Sequence, residues 1–341
     1  MYVQTGSVPA IVPFLRSSPR PLLTIENLSV RFGGVDVLRG VDLAVTRGEA
    51  LGIVGESGSG KSVTWLAALG LLSKDASISG NVRLDGMELV HADDAHLDQV
   101  RGRRIAMISQ DPASALNPVL RVGKQVGEVL SRHRGLSGRA IRNEARRLFE
   151  LVGLPDADRR LDAYPHELSG GQNQRVMIAA ALAGEPDLLI ADEPTTALDA
   201  TIQAQILDLL ATIRQETGMS LVLISHDLGL VSETCDRIAV MYSGRIIETA
   251  RTKAIFGNPL HPYTRGLLGA VPSFEGEVGR LIPIEGQVPE PANMPPGCSF
   301  APRCPLRRGI CEVAEPALKV TEGGHSYACL AADALQISKM R

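Results

Sequence analysis

Four short runs of apolar residues recur along the chain, and each ends abruptly in polar ones. LGIV at 51–54 runs into GESGSGKS, IAMI at 105–108 into SQD, LLIA at 188–191 into DEP, and LVLI at 221–224 into SHD. Runs of this length with no polar position predict strands covered on both faces, as in a parallel sheet. Between them the period changes. Ile202, Ile206, Leu209, Leu210 and Ile213 fall on one helical face, as do Ile141, Ala145, Leu148 and Val152, with Ser137 positioned as an N-cap. Both stripes read as core packing. The stretch 111–170 is largely helical and long enough to form a lobe between the second and third strands. LSVRF at 28–32 alternates as a half-buried strand, and RIAVMYSGRIIETA at 237–250 reads as a hairpin turning at Ser243-Gly244.

Alternating strands and helices predict an α/β core. In open sheets of this kind ligands bind beyond the carboxyl ends of the strands. Four strands that each end in reactive side chains therefore predict one site built from four strand tips.

Composition sets the frame around that core. The chain has 341 residues, 44 % of them hydrophobic, which allows about two domains. A net charge of −3 lacks the basic surplus of a nucleic-acid binder. No apolar run is long enough to span a membrane; VMIAAALAGEPDLLIA is interrupted by Glu185, Pro186 and Asp187. The leader 1–21 has no basic start and is cut by Pro9 and Pro13, so it reads as a mobile arm and not a signal peptide. Prolines crowd the chain from Pro259 to Pro296, and four of the five cysteines follow residue 297. The expected division is an arm at 1–21, a main domain at 22–271 and a C-terminal domain at 272–341.

GESGSGKS has the G-x-x-x-x-G-K-[ST] spacing between a predicted strand and a predicted helix, the setting a phosphate-binding P-loop needs. Gly55, Gly58 and Gly60 let the backbone wrap phosphates; Glu56, Ser57, Ser59 and Val63 complete the stretch. Lys61 reaches the terminal phosphates, and the Ser62 hydroxyl suits Mg²⁺. Asp192, at the tip of LLIAD, is an Mg²⁺ ligand candidate, directly or through water. Glu193 can reach an attacking water as a general base. Gln110 ends the IAMI strand, where an amide can touch metal and water. His226 ends LVLI, within reach of a terminal phosphate. Phe32 ends the first strand and is either an adenine stacking platform or a core residue. Ser169, Gly170 and Gly171 form a second phosphate-shaped turn at a helix start, with no lysine of its own.

The ordered set Phe32, GESGSGKS, Gln110, LSGGQ at 168–172, LLIADEP, ALD at 197–199 and His226 resembles an ABC-type ATPase subunit over residues 22–271. The resemblance implies a P-loop NTPase fold: an α/β core, an antiparallel β part, the helical lobe and a short irregular C-terminal domain. It implies ATP and Mg²⁺ as ligands, and Lys61, Gln110, Glu193 and His226 as the hydrolytic residues. It also implies that Ser169, Gly170, Gly171, Gln172 and Asp199 serve the ATP held by a second ATPase subunit packed head to tail. QDPASALNPVLRVGKQVGE at 110–128, NPLHPYTRGLL at 258–268 and GCSFAPRCP at 297–305 narrow the resemblance to the ATPase subunits of oligopeptide, dipeptide and nickel importers. Asn173 departs from the arginine usual after the signature glycines.

That resemblance implies further partners: a different ATPase chain, two membrane permeases and an extracytoplasmic solute-binding protein, with this chain at the cytoplasmic face of the membrane. Peptide is the leading solute, with nickel, glutathione and sugars open. Rival functions are a soluble ABC ATPase acting on nucleic acid or ribosomes, and a subunit with a dead ATP site. The single cassette, the lack of basic insertions and the presence of Lys61, Glu193 and His226 count against them.

Cys298, Cys304, Cys311 and Cys329 could ligate zinc or an iron–sulfur cluster, or remain reduced thiols. Similar importer tails are associated with a [4Fe–4S] cluster, so the resemblance favours that option. Cys235 stands apart as a small core residue. The distance in sequence between the cysteines and the strand tips leads us to expect a structural or docking role for the tail, not a hydrolytic one.

Overall fold

The computed structural model describes residues 20–196, 198–270 and 283–332. The four apolar runs form the strands Ala50–Val54, Ile105–Ile108, Leu188–Asp192 and Ser220–Ser225. Every residue in them is buried except the half-buried Met107. They run parallel and side by side, in the spatial order 105–108, 188–192, 220–225, 50–54. Their carboxyl ends therefore share one edge. Each Leu or Ile buried there contributes about 1.5–3 kcal/mol.

The expected hairpin is present as Arg237–Tyr242 and Arg245–Arg251. Ser243 and Gly244 both adopt positive φ, 45° and 77°, as a tight two-residue turn between right-twisted strands requires. Its first strand lies parallel to Ala50–Val54, which places the hairpin turn behind the P-loop. Two short strands from the tail, Lys319–Val320 and Ser326–Tyr327, pair beyond it and complete an eight-stranded sheet.

A second, antiparallel sheet of four strands has the order Val35–Thr46, Pro21–Phe32, Ala76–Leu84, Met87–Glu88. LSVRF belongs to it and alternates as expected, with Leu28 and Val30 buried and Arg31 exposed. The two sheets enclose a core that includes Trp65 on the helix Lys61–Ala68. The other face of the main sheet packs on the long helix Ala200–Thr217 and on the lobe, whose helices include Val122–Arg134, Gly138–Leu151 and Gly170–Leu182. Ser137 is the N-cap of its helix, although its side chain makes no capping bond.

The leader at 1–19 lies outside the described residues. Pro21, counted with the arm on sequence grounds, is the first residue of a strand paired with Thr46. The boundary expected near 271 falls in 271–282, also outside them. Among the described residues no helix is long and apolar enough to cross a membrane.

Candidate functional site

The strand Ala50–Val54 delivers the chain to Gly55, and the helix Lys61–Ala68 receives it after Gly60. A Cβ on Gly55 would lie 2.2 Å from the carbonyl oxygen of Met241, so this close approach admits only glycine. Gly60 turns with a φ of 101°. Ser57 and Gly58 are exposed at the crest of the loop, Ser59 is buried beneath it, and Val63 packs at the edge of the core.

Lys61 lies under this crest, 6 % exposed. Its ammonium donates to the carbonyls of Gly55 at 2.8 Å and Glu56 at 3.0 Å. Burial pushes its pKa down, while the negative charges of Glu193, Asp192 and Glu56 oppose the fall. A phosphate reaching the loop would replace two weak carbonyl acceptors by full negative charge, a stronger partner.

The other strand tips converge beside Lys61. Asp192 is buried, which raises its pKa, and it accepts a hydrogen bond from Ser62, which opposes the rise. Two hard oxygen donors thus lie side by side. That fits Mg²⁺, which takes few protein ligands and completes its shell with water and phosphate oxygens.

Glu193 follows with a φ of 47°, an unusual backbone state for a residue with a side chain. Its N–H donates to the carbonyl of Ile224, 3.0 Å away on the next strand. Its Oε2 accepts from Gln110 Nε2 at 3.0 Å and from Thr196 Oγ1 at 2.9 Å, and stands 3.5 Å from His226 Nδ1. Gln110, Thr196 and His226 thus surround the carboxylate of Glu193.

The second turn is built differently. Ser169 caps the helix Gly170–Leu182: its Oγ accepts from Gln172 N–H at 3.3 Å, and Gln172 Oε1 accepts from Ser169 N–H at 3.2 Å. Ser169 and Gly170 are exposed. A Cβ on Gly171 would meet Ile202 at 3.2 Å, and one on Gly170 would meet Leu198 at 3.9 Å. Asp199 caps the neighbouring helix, accepting from Thr201 and Ile202 N–H at 3.1 and 3.0 Å. The turn and Asp199 therefore form one surface; Ala197 of the ALD stretch lies outside the described residues. Asn173 is tied back to the carbonyl of Pro165 at 2.9 Å, bracing the chain that leads into the turn. Phe32, half-buried, pairs with Val35 and Ala76 at the end of its strand and packs against the inter-sheet core.

No disulfide joins the tail cysteines; Cys311 and Cys329 are buried, Cys298 and Cys304 half-buried. Burial raises the thiol pKa of Cys298, Cys304 and Cys329, the last to about 11, and neighbouring thiols of the group add to each rise. Backbone N–H groups point at the sulfurs: Phe300 and Ala301 at Cys298, Leu306 at Cys304, and Ala331 at Cys329, the last at 3.3 Å. Among the described residues no three His, Cys, Asp or Glu side chains converge where a single metal ion could sit. Cys235 is buried and its thiol is pushed up to about 12 by burial, as a core residue's would be.

The tail reaches the P-loop. Arg303, next to Cys304, places Nη1 2.9 Å from Oε1 of Glu56, within the P-loop itself. Nothing in the local pattern marks this contact, because its partners are 247 positions apart.

Two family profiles match the chain: "ABC transporter" over residues 38–196, and "Oligopeptide/dipeptide transporter, C-terminal region" over residues 247–311. A putative peptide import ATP-binding protein of Brucella abortus is 51 % identical over 314 residues, which are 91 % of this chain and 94 % of that protein. The dipeptide transport ATP-binding protein DppD of Bacillus subtilis is 46 % identical, over 90 % of this chain and 94 % of its own. A solved ATP-binding cassette, described as a dimer in a post-hydrolysis state bound to ADP and Pi, superposes with a TM-score of 0.61. It is 30 % identical, and the match covers 67 % of this chain and 98 % of that one. With its P-loop, signature turn and tail in one fold, the chain belongs to the ATP-binding subunits of the oligopeptide/dipeptide family of ABC transporters.

Proposed function

We propose that this chain hydrolyses ATP to drive import of peptides or a related small solute across a membrane. The observation that carries the reading is the meeting of Gln110, Glu193 and His226 next to Lys61. Residues Gly55 to Val63 hold the phosphates, and Lys61 releases its carbonyl partners to bind them. Ser62, Asp192 and Gln110 hold Mg²⁺, whose charge offsets that of the phosphates. Phe32 stacks on the adenine.

Glu193 acts as the base. As a water oxygen bonds to the γ-phosphorus, the bond to the ADP oxygen breaks and the water proton passes to the Glu193 carboxylate. Gln110 and His226 hold water and carboxylate in line, while Lys61 and His226 stabilise the charge developing on the phosphate. The positive φ of Glu193 and its bond to Ile224, which fix the backbone that carries the carboxylate, support this role.

The signature turn, Ser169 to Gln172, and Asp199 close over the ATP of an opposing subunit, a role that the exposure of Ser169, Gly170 and Asp199 supports. That subunit is a second ATPase, a different chain. Two permeases receive the motion through the lobe beyond Gln110, where Val119 is 75 % exposed. An extracytoplasmic solute-binding protein delivers the solute, and this chain works at the cytoplasmic face.

For the four tail thiols we favour a [4Fe–4S] cluster. Their number and the N–H groups directed at their sulfurs support that reading.

The transport reading is tested by reconstituting the complex in vesicles and following uptake of a labelled peptide. Uptake should require ATP on the side of this chain and disappear with Lys61→Ala. ATP-independent uptake would refute it.

A further inference from the structure

Glu56, the second residue of the P-loop, is held from three sides. Its N–H donates to the Tyr263 hydroxyl at 2.9 Å, and its carbonyl accepts from Lys61 at 3.0 Å. Its carboxylate faces Arg303 at 2.9 Å. The arginine side chain is only 4 % exposed. Its Nε donates to the carbonyl of Glu285 at 2.9 Å, its Nη2 to that of Ile284 at 3.3 Å, and its Nη1 also approaches the Tyr242 hydroxyl at 3.4 Å. The guanidinium is therefore fixed at its far edge by the tail's own backbone and presents its near edge to the P-loop.

The surroundings keep it there. Phe300 of the tail packs against Tyr242 and Tyr263, with both ring-centre distances 5.4 Å. The tyrosine that holds the N–H of Glu56 and the one beneath Arg303 are thus wedged by the same tail segment. Without Arg303, the carboxylate of Glu56 would stand uncompensated beside the loop that has to accept a polyanion, and like charges at short range in a partly dry site repel strongly.

We propose that Arg303 is a positioning residue of the ATP site: by neutralising and fixing Glu56, the C-terminal segment sets the grip of the P-loop on ATP. The proposal rests on the reading of GESGSGKS as the ATP loop. It makes the tail part of the nucleotide site and gives changes at Cys298 and Cys304, which flank Arg303, a route to ATP affinity. Lysine cannot replace arginine fully, because a point charge cannot hold Glu56 and both carbonyls at once.

The test is an equilibrium titration of the full-length chain with a fluorescent ATP analogue, paired with kcat and KM of the assembled transporter. Arg303→Ala should weaken nucleotide binding about tenfold or more and raise KM more than it lowers kcat. Arg303→Lys should fall between, which keeps the comparison open if the alanine variant folds poorly. The double variant Glu56→Gln, Arg303→Ala should recover most of the affinity, because no bare carboxylate remains. Arg245→Ala removes an ion pair of 2.7 Å between the cassette and Glu315 of the same tail without touching Glu56, and should leave affinity within about twofold. If Arg303→Ala and Arg303→Lys bind as tightly as the unaltered chain, or Glu56→Gln restores nothing, or Arg245→Ala weakens binding equally, the proposal is overturned. An unaltered chain that binds no ATP would instead overturn the P-loop reading beneath it.

Discussion

Tyr263 donates its backbone N–H to Nδ1 of His261, 3.0 Å away, so the ring that caps the helix Pro262–Gly269 must keep that nitrogen unprotonated. His261 is buried, and burial pushes its pKa down to about 4, against the pull of the Glu248 carboxylate, which accepts the His261 backbone N–H. In an unfolded chain the same ring titrates near ~6.5. Between these values the unfolded chain binds a proton that the folded chain refuses. Stability therefore rises with pH through the window, is complete above about 6.5, and falls as pH drops toward 4. From pH 7.5 to 5 the expected loss from this residue is on the order of 2 kcal/mol. Denaturant unfolding at the two pH values measures it. His261→Asn keeps a cap acceptor and cannot titrate, so it should shrink the difference; an unchanged pH dependence would contradict the assignment.

The sequence announced the parallel core because those strands are covered on both faces, which leaves unbroken apolar runs such as LVLI. It announced the hairpin because few residue pairs suit a two-residue turn as Ser243-Gly244 does. The meeting of the strand-tip residues followed from position: Gln110, Glu193 and His226 each lie just past a strand, and the sheet brings them together. What stayed hidden has no period. The tail strands Lys319–Val320 and Ser326–Tyr327 are too short to alternate visibly. Phe300 and Arg303 act through partners far back in the chain, and a lone arginine among prolines looks like a solvated charge. The positive φ of Glu193 and its bond to Ile224 have no local pattern that reveals them.

The tail thiols give a direct chemical expectation. Protein purified without oxygen should be brown and carry iron and sulfide, and Cys304→Ser should bleach it while Cys235→Ser should not. Colourless protein with four freely titrating thiols would remove the cluster. Because Cys304 adjoins Arg303, its loss should also weaken ATP binding, an effect the contact with Glu56 predicts and a remote docking tail would not produce.

The exposed signature turn predicts which subunit suffers from which change. In a complex with a different ATPase chain, Ser169→Arg here should impair hydrolysis of the ATP held by the partner's P-loop. Lys61→Ala should impair the ATP held by this chain. Photolabelling each subunit with a nucleotide analogue separates the two. Damage confined to this chain's own P-loop in both cases would exclude head-to-tail closure.

The central claim is that Glu193, held between Gln110, Thr196 and His226, takes the proton from the attacking water. Glu193→Gln preserves shape and removes the base. The most direct measurement is single-turnover hydrolysis by the assembled transporter carrying this change, with nucleotide binding measured on the same sample. The account predicts unimpaired ATP binding, a trapped closed dimer and hydrolysis at this chain's site slower by about 10²-fold or more, roughly 2.7 kcal/mol of barrier. Hydrolysis at that site at close to the unaltered rate would contradict it.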